Sequence, residues 1–494
     1  MFEAIDKSNG YNFIYRQHVI KPALIGLIGA WISGGIEWNI PHHHRATTFL
    51  PVQYRLAWNP DGGKTVWVGE LEIRHRMRWA VGYTLHPGKS YLECSVRIVN
   101  RTPVVHAMLC FANVAVHATK DYQVIYPPST PFVTFHGKRD FTTWPWATTR
   151  YAGADFTRGV DVSWYANHIA ANSMFAWNYE DDFFAGYDHG KQAGIMSVAD
   201  HHQVPGNKFW TWGNGPRGRM WEKFLTDNDG PYIELMAGAY SDNQPDYSWL
   251  QPYETKASKM YWYPFRDIGG VKKANLEAAV NLEVSTNGIA RVGFCTTRAH
   301  RIARALLQVG SPTLLDRNIA ISPGKPFVQT VPLPVGTDEH DLRAALSVGG
   351  QELTYYYGAE FSERLGDAAQ AAAYRRLGRL TAPDTVFPFQ RGLLPVLRRA
   401  MVADPQDSRA AYYLGDLLFD SQPEAALELW QQSVAHPRTR SVNCLAAVPS
   451  RQRFSTMPAL GRLLERNVNH AKSRLGPVGP PSNDHRTTIE LTSN

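Results

Sequence analysis

The 494-residue sequence predicts a mainly β protein with a small helical region near its C-terminus. Three observations carry this expectation. Residues 11–350 break into short segments of alternating apolar and polar residues, punctuated by Gly, Pro, Asn and Asp. Helical spacing is scarce over that range, which favours a β-sandwich or an extended sandwich. Near Glu360 the composition shifts to Ala, Leu, Arg and Glu with helical periodicity, and this continues to about Pro437.

Taken in order, Thr65–Ile73, Ser90–Asn100, Met108–Val116 and Ala278–Ser285 read as strands, bounded by N-P-D-G-G, H-P-G-K, N-R-T-P and T-N-G. Leu92, Cys94, Val96 and Ile98 alternate with Glu93, Ser95 and Arg97, as in a strand with one buried face. The expected domains are a sandwich over 1–285, a smaller sandwich or continuation over 286–358, helices over 359–437 and a basic, poorly ordered tail over 438–494. In the helical part, A-A-Y-Y-L-G-D-L-L-F and E-A-A-L-E-L-W-Q-Q-S-V resemble a tetratricopeptide repeat, with Leu414, Gly415, Ala426 and Trp430 at its packing positions. A protein partner is the expectation for such repeats.

Composition narrows the function classes. The net charge is +7, but residues 438–494 hold nine Lys and Arg against three acids, leaving the preceding 437 residues near neutral. That distribution argues against a nucleic-acid-binding face on the main domain. The four cysteines are widely spaced, without a structural zinc pattern or a disulfide framework. The longest apolar stretch, Ala23 to Ile32, is interrupted by Gly26 and Gly29 and is shorter than the roughly 20 residues a membrane span needs. No secretory signal follows Met1, so a soluble, cytoplasmic protein is the default expectation.

Three clusters carry chemistry. In G-G-I-E-W-N-I-P-H-H-H-R (Gly34–Arg45), Glu37, His43 and His44 suit a sugar-binding edge, with a hydrogen-bonded loop as the alternative. Along Phe111–Pro128, Asn113, Ala115 and His117 fall on one strand face, and two polar groups on such a face suggest a cleft. The densest run is Asp188–Tyr263. It contains Asp200, His201 and His202, then Trp210 and Trp212 on one strand face, then Glu234, Trp249 and Glu254. Flat aromatic faces take the C–H face of a pyranose while carboxylates, amides and imidazoles bond its hydroxyls, so this mixture points to a carbohydrate ligand. Glu254 with Glu234 or Asp200 could supply the two carboxyls of a glycoside hydrolase. No cofactor and no dedicated metal site is expected.

The order of an Asn/His strand, a His/Trp region and an L-x-P-x-E-T segment before an aromatic strand resembles the galactose mutarotase superfamily of β-supersandwich proteins. W-I-S-G-G-I-E-W-N-I-P-H-H-H-R, V-A-D-H-H-Q-V-P-G-N-K-F-W-T-W-G-N-G and D-N-Q-P-D-Y-S-W-L-Q-P-Y-E-T-K resemble, more closely, a bacterial family known as domain of unknown function 5107. Members of that family commonly carry tetratricopeptide repeats afterwards. The mutarotase resemblance implies His117 as the imidazole that protonates the ring oxygen and Glu254 as the carboxylate that takes the anomeric proton. It implies Asn113, Asp188, His201, His202, Trp210 and Trp212 as sugar-holding residues. The closer resemblance, to the 5107 family, implies that this chain begins inside its first domain and that its repeat region is cut short. Glycoside hydrolase, aldose-epimerase-like enzyme and non-catalytic carbohydrate-binding scaffold remain open as functions.

Overall fold

The computed structural model describes residues 3–25, 29–44, 50–357 (apart from 178, 245, 310, 311 and 338) and 397–435 (apart from 399, 403, 420 and 421). The chain divides into two units, Met1–Asp367 and Ala368–Asn494.

Alternation of side chains brings two antiparallel sheets face to face. The strands of the first are β1 (Ile36–Asn39), β2 (Cys110–His117), β3 (Phe132–Thr134), β4 (Phe141–Thr143), β5 (Asn172–Trp177), β6 (Lys208–Thr211) and β7 (Tyr232–Ala239). Their spatial order is β4-β3-β5-β6-β7-β2-β1. The facing sheet has eight strands, ordered Tyr122–Ile125, Phe183–Asp188, Ala193–Val198, Thr255–Arg266, Leu92–Asn100, Met77–Leu85, Lys64–Glu72 and Gln53–Trp58. Between them lies one apolar core, in which Leu92, Cys94, Val96, Ile98, Met260 and Trp262 meet Trp38, Ala112, Val114, Val116, Phe209, Ile233 and Leu235. The strand Leu92–Asn100 thus buries the face that its alternation predicts.

The outer face of the eight-stranded sheet is also apolar where the strands Phe183–Asp188, Ala193–Val198 and Thr255–Arg266 lie side by side. Phe183, Tyr187, Met196, Tyr263 and Phe265 pack there against Ile268, Val271, Ala279 and Cys295, which leads the chain into a second sandwich of two four-stranded sheets running from Lys273 to Tyr357. With a first domain expected over 1–285, Ala278–Ser285 would belong to that domain. The strand Ala278–Val284 instead pairs with Ile289–Thr296 and contributes Ala278, Val280 and Leu282 to the core of the second sandwich.

In the second unit, α2 (Ser408–Leu418) and α3 (Pro423–Ala435) pack through Leu414, Leu418 and Ala426; α1 (Pro216–Thr226) belongs to the first. Asp407 caps α2 by accepting from the amides of Arg409 and Ala410. Gly415 is required where the helices touch, because a Cβ there would lie 2.5 Å from the Trp430 indole nitrogen. The remaining repeat-like residues, 359–396, and the basic tail lie outside the described residues. Cys94, Cys110 and Cys295 are buried free thiols. Among the described residues no helix is long and apolar enough to cross a membrane.

Candidate active site

The seven-stranded sheet turns its other face away from the core, and that face carries the polar cluster. Period-two alternation decides which residues stand there. Register aligns Asn113 of β2 with Glu37 of β1, and Ala115 of β2 with Glu234 of β7. Glu234 is aligned in turn with Trp210 of β6, and Trp210 with Ser173 of β5. Lys208 lies between Met236 and Phe175 in the adjoining row.

Two apolar clusters flank these groups. On one side, Tyr15, Ala115, Trp212, Leu225 and Tyr232 pack beneath α1. On the other, Leu109, Phe111, Phe175 and Met236 pack with Trp210 and Tyr247. Gly238 is needed for the second cluster, since a Cβ there would meet the Phe111 ring at 2.2 Å. The flanks leave Glu37, Asn113, Lys208 and Glu234 buried although they face outward from the sandwich.

Glu37 collects three donors. The side-chain amides of Asn113 and Asn39 donate to it at 2.7 and 2.9 Å, and His44 Nδ1 lies 2.8 Å from Oε1. Burial opposes charge on His44, but the neighbouring Glu37 carboxylate outweighs it and raises the imidazole. Glu234 is raised to about 7, first by burial and then by the charge of Glu37, against the pull of His44 and Lys208. Burial lowers Lys208 to about 7 despite Glu234 and Glu37.

Lys208 Nζ lies 2.9 Å from His136 Nε2, and His136 Nδ1 lies 2.6 Å from the Ser173 hydroxyl. Burial, with Lys208 next, depresses His136 to about 2, so its imidazole is neutral. When Lys208 is charged it can only donate to Nε2, which places the His136 proton on Nδ1 and directs it to Ser173. His43 Nε2 meets the Tyr247 hydroxyl at 2.6 Å on the rim.

The sheet therefore brings together Glu37, His43, His44, Asn113, Trp210 and Glu234 from the sequence expectations. It adds Asn39, His136, Lys208 and Tyr247, which sequence reading passed over. Lys208 carried a usable signal, because it stands two residues before Trp210 and four before Trp212. His136 comes from a turn after β3 and carried none.

The other expected residues stand elsewhere. His117 lies at the far end of β2 against Tyr15, ring centroids 4.3 Å apart, and burial followed by the Lys191 charge lowers it to about 4. Glu254 accepts from the Gln251 amide at 2.6 Å and pairs with Lys256 at 3.3 Å. Its backbone carbonyl accepts from Asn100, and the neighbouring strand Ser248–Leu250 pairs with His106–Met108, beyond the Cys110 end of β2. Seven residue steps of roughly 3.3 Å put about 23 Å of strand between the two ends of β2, so the fold does not assemble His117 with Glu254. Asp188 is a buried turn carboxylate bonded to Thr119 and the Lys191 amide. Trp212 is stacked on Trp221 of α1 at 5.0 Å and donates to Tyr232, which makes it part of the packing under the helix. Asp200, His201 and His202 sit together on the loop before β6.

The sequence profile described as "Domain of unknown function (DUF5107)" matches residues 1–265, and one described as "YphG-like protein, second domain" matches residues 273–356. Among solved structures, the chain is similar to a TPR-domain containing protein from Parabacteroides distasonis ATCC 8503, with a TM-score of 0.47 and 19% identity, over 92% of this chain. It spans 65% of that protein's chain. A putative aldose 1-epimerase from Escherichia coli K12 aligns with a TM-score of 0.33 and 10% identity, over 54% of this chain and 79% of its own. A galactose mutarotase-like protein from Lactobacillus casei ATCC 334 aligns with a TM-score of 0.34 and 10% identity, over 53% and 92%.

Proposed function

The chain belongs to the DUF5107 family, whose profile covers residues 1–265, and on that premise we infer that it binds a sugar or glycoside over the Glu37–Glu234 face and processes it by acid/base chemistry. The observation that carries this reading is the inequality of the two carboxyls. Glu234 is held near 7 by burial and by the charge of Glu37, while Glu37 is tied to three donors. A buried carboxyl that keeps its proton near neutral pH, beside a second carboxylate held by donors, is what a proton donor and its partner require.

Glycoside hydrolysis is the reaction favoured, because two carboxyls share one face. In this scheme Glu234 gives its proton to the departing glycosidic oxygen as the bond to the anomeric carbon breaks. Water adds to that carbon, and the Glu37 carboxylate offsets the positive charge that develops there and accepts the water's proton. Trp210 and Tyr247 offer aromatic faces to the sugar ring. Asn113 Oδ1, buried and without a partner, is placed to accept from a hydroxyl. We further assign α2 and α3 to a tetratricopeptide-like region that binds a protein partner, on the Gly415–Trp430 packing that such repeats use.

The test is a panel of aryl glycosides, oligosaccharides and free aldoses followed by NMR. Release of reducing sugar that is lost in Glu234→Gln supports hydrolysis. Anomer exchange without cleavage replaces it with an epimerase, and shifts without either reaction leave a binding protein.

A further inference from the structure

We propose that Asp200, His201 and His202 form a binding site for a divalent transition-metal ion of the zinc class, on the loop that crosses from the eight-stranded to the seven-stranded sheet. One ligand atom from each of the three residues lies within 4.8 Å of the others. The two imidazole centroids lie 4.0 Å apart with their planes tilted by 38°.

A second observation points to a ligand. His201 Nδ1 is 2.7 Å from Asp182 Oδ1, and the same oxygen accepts from the His201 backbone amide at 2.9 Å. A carboxylate on Nδ1 keeps the proton there and leaves Nε2 as a lone-pair donor, the arrangement that commonly supports a metal-bound histidine. Asp182 belongs to the turn before the strand Phe183–Asp188, so this orientation is imposed from outside the loop. Asp200 is oriented too, because its Oδ1 accepts from the His202 amide at 2.9 Å.

The loop is pinned. The amides of Gln203 and Val204 close a turn on the Asp200 carbonyl. Tyr240 donates its amide to Gln203, Tyr179 donates its hydroxyl to Pro205, and Gly206 and Gly238 exchange two backbone bonds. A preformed loop pays little ordering cost on binding. Two nitrogens and one carboxylate oxygen suit zinc, cobalt or nickel better than calcium or magnesium, which prefer all-oxygen sites. Three protein ligands leave a position for water. A metal here would brace the crossover that leads directly into Lys208 and Trp210.

Untagged full-length protein, dialysed against chelator, would be titrated with Zn2+ by calorimetry and with Co2+ by visible absorption. One saturable equivalent is expected, with a visible cobalt band and a higher melting temperature. His202→Ala, at an exposed position, should keep the fold by circular dichroism and lose that equivalent. Asp182→Asn should keep the stoichiometry and weaken affinity about 10–100-fold, as loss of an outer-shell partner does. Absence of saturable binding, or binding unchanged in His202→Ala, overturns the proposal, because the ion would then sit on other histidines. The outcome is independent of whether the Glu37–Glu234 face acts on sugars.

Discussion

Asn113 and Glu37 face each other across β1 and β2, and the amide of Asn113 donates to Glu37 at 2.7 Å while its Oδ1 stays buried with no partner. An unsatisfied buried acceptor costs about 1–3 kcal/mol, and a ligand hydroxyl would relieve that cost. Asn113→Ala should therefore weaken binding of the sugar found in the panel by about tenfold or more, since 1.4 kcal/mol corresponds to that factor. Equal dissociation constants for variant and wild type, measured by calorimetry, would remove Asn113 from the binding face.

The raised carboxyl of Glu234 makes a pH prediction. Its folded value, about 7, lies above the ordinary 4.5, so the folded state holds a proton that the unfolded chain has already released between these limits. The stabilisation from this group is complete below about pH 4.5 and is lost as pH rises through 7. Glu234→Gln lacks the titration, so it should gain on wild type across this window by up to about 1.4 kcal/mol per pH unit. Urea unfolding at pH 4.5, 6 and 7.5 measures the gap, and a constant difference refutes the assignment. Turnover by the wild type should fall above pH 7, and the variant should lose about 100-fold or more.

Lys208 is the buried amine that meets His136 and feels the charge of Glu234. Lys208→Met removes it while keeping most of its volume, and leaves two carboxyls facing each other without it. Loss of its bond to His136 leaves a buried ring nitrogen without that partner, at a cost of about 1–3 kcal/mol, so a lower melting temperature is expected. In wild type, nitrogen-15 NMR should find His136 neutral from pH 8 down to pH 5, with its proton on Nδ1 below pH 7, where Lys208 is charged. A protonated ring at pH 5 would contradict the Lys208–His136 geometry.

Glu254 and His117 make the opposite prediction. Glu254→Gln should leave turnover at the wild-type level and cost no more than about 1 kcal/mol, because it removes one turn bond and one part-exposed ion pair. His117→Gln should also retain turnover. A loss of two orders of magnitude in either variant, with the fold intact, would restore the pairing that the family resemblance implies.

The two neighbouring tryptophans should separate stability from binding. Trp212→Ala should destabilise by about 3–5 kcal/mol through the cavity left under Trp221. Trp210→Ala should cost less stability and more sugar affinity. Reversal of this order in thermal melts and ligand titrations would mean that Trp212, not Trp210, is the ligand platform.

The parts of this protein that depend on local alternation are legible in its sequence. The shared face of Asn113, Ala115 and His117 follows from the two-residue period of a strand, and so does the buried row Leu92 to Ile98. Lys208 obeys the same count as Trp210 and Trp212, and was passed over only because a lone lysine at a strand start resembles a solvated one. The misplacements have a different origin. Trp212 was read as a platform because nothing in F-W-T-W announces that Trp221, nine residues later on α1, will cover it. Glu254 was chosen by a motif, and a motif does not say which end of a sheet its residue will occupy. The strand Ala278–Val284 looks the same whichever sandwich it joins, since strand pattern specifies a face and not a partner.

The Glu37 cluster draws on Glu37, Asn113, His136, Lys208, Glu234 and Tyr247, and neighbouring strands β2 and β7 are separated by more than a hundred residues of chain. Such a centre has a high contact order and closes only after its distant segments have found their register. Recovery of the turnover proposed for this face, after dilution from denaturant, should therefore lag behind recovery of the far-ultraviolet β signal, which would make that reaction a clock for the last stage of folding.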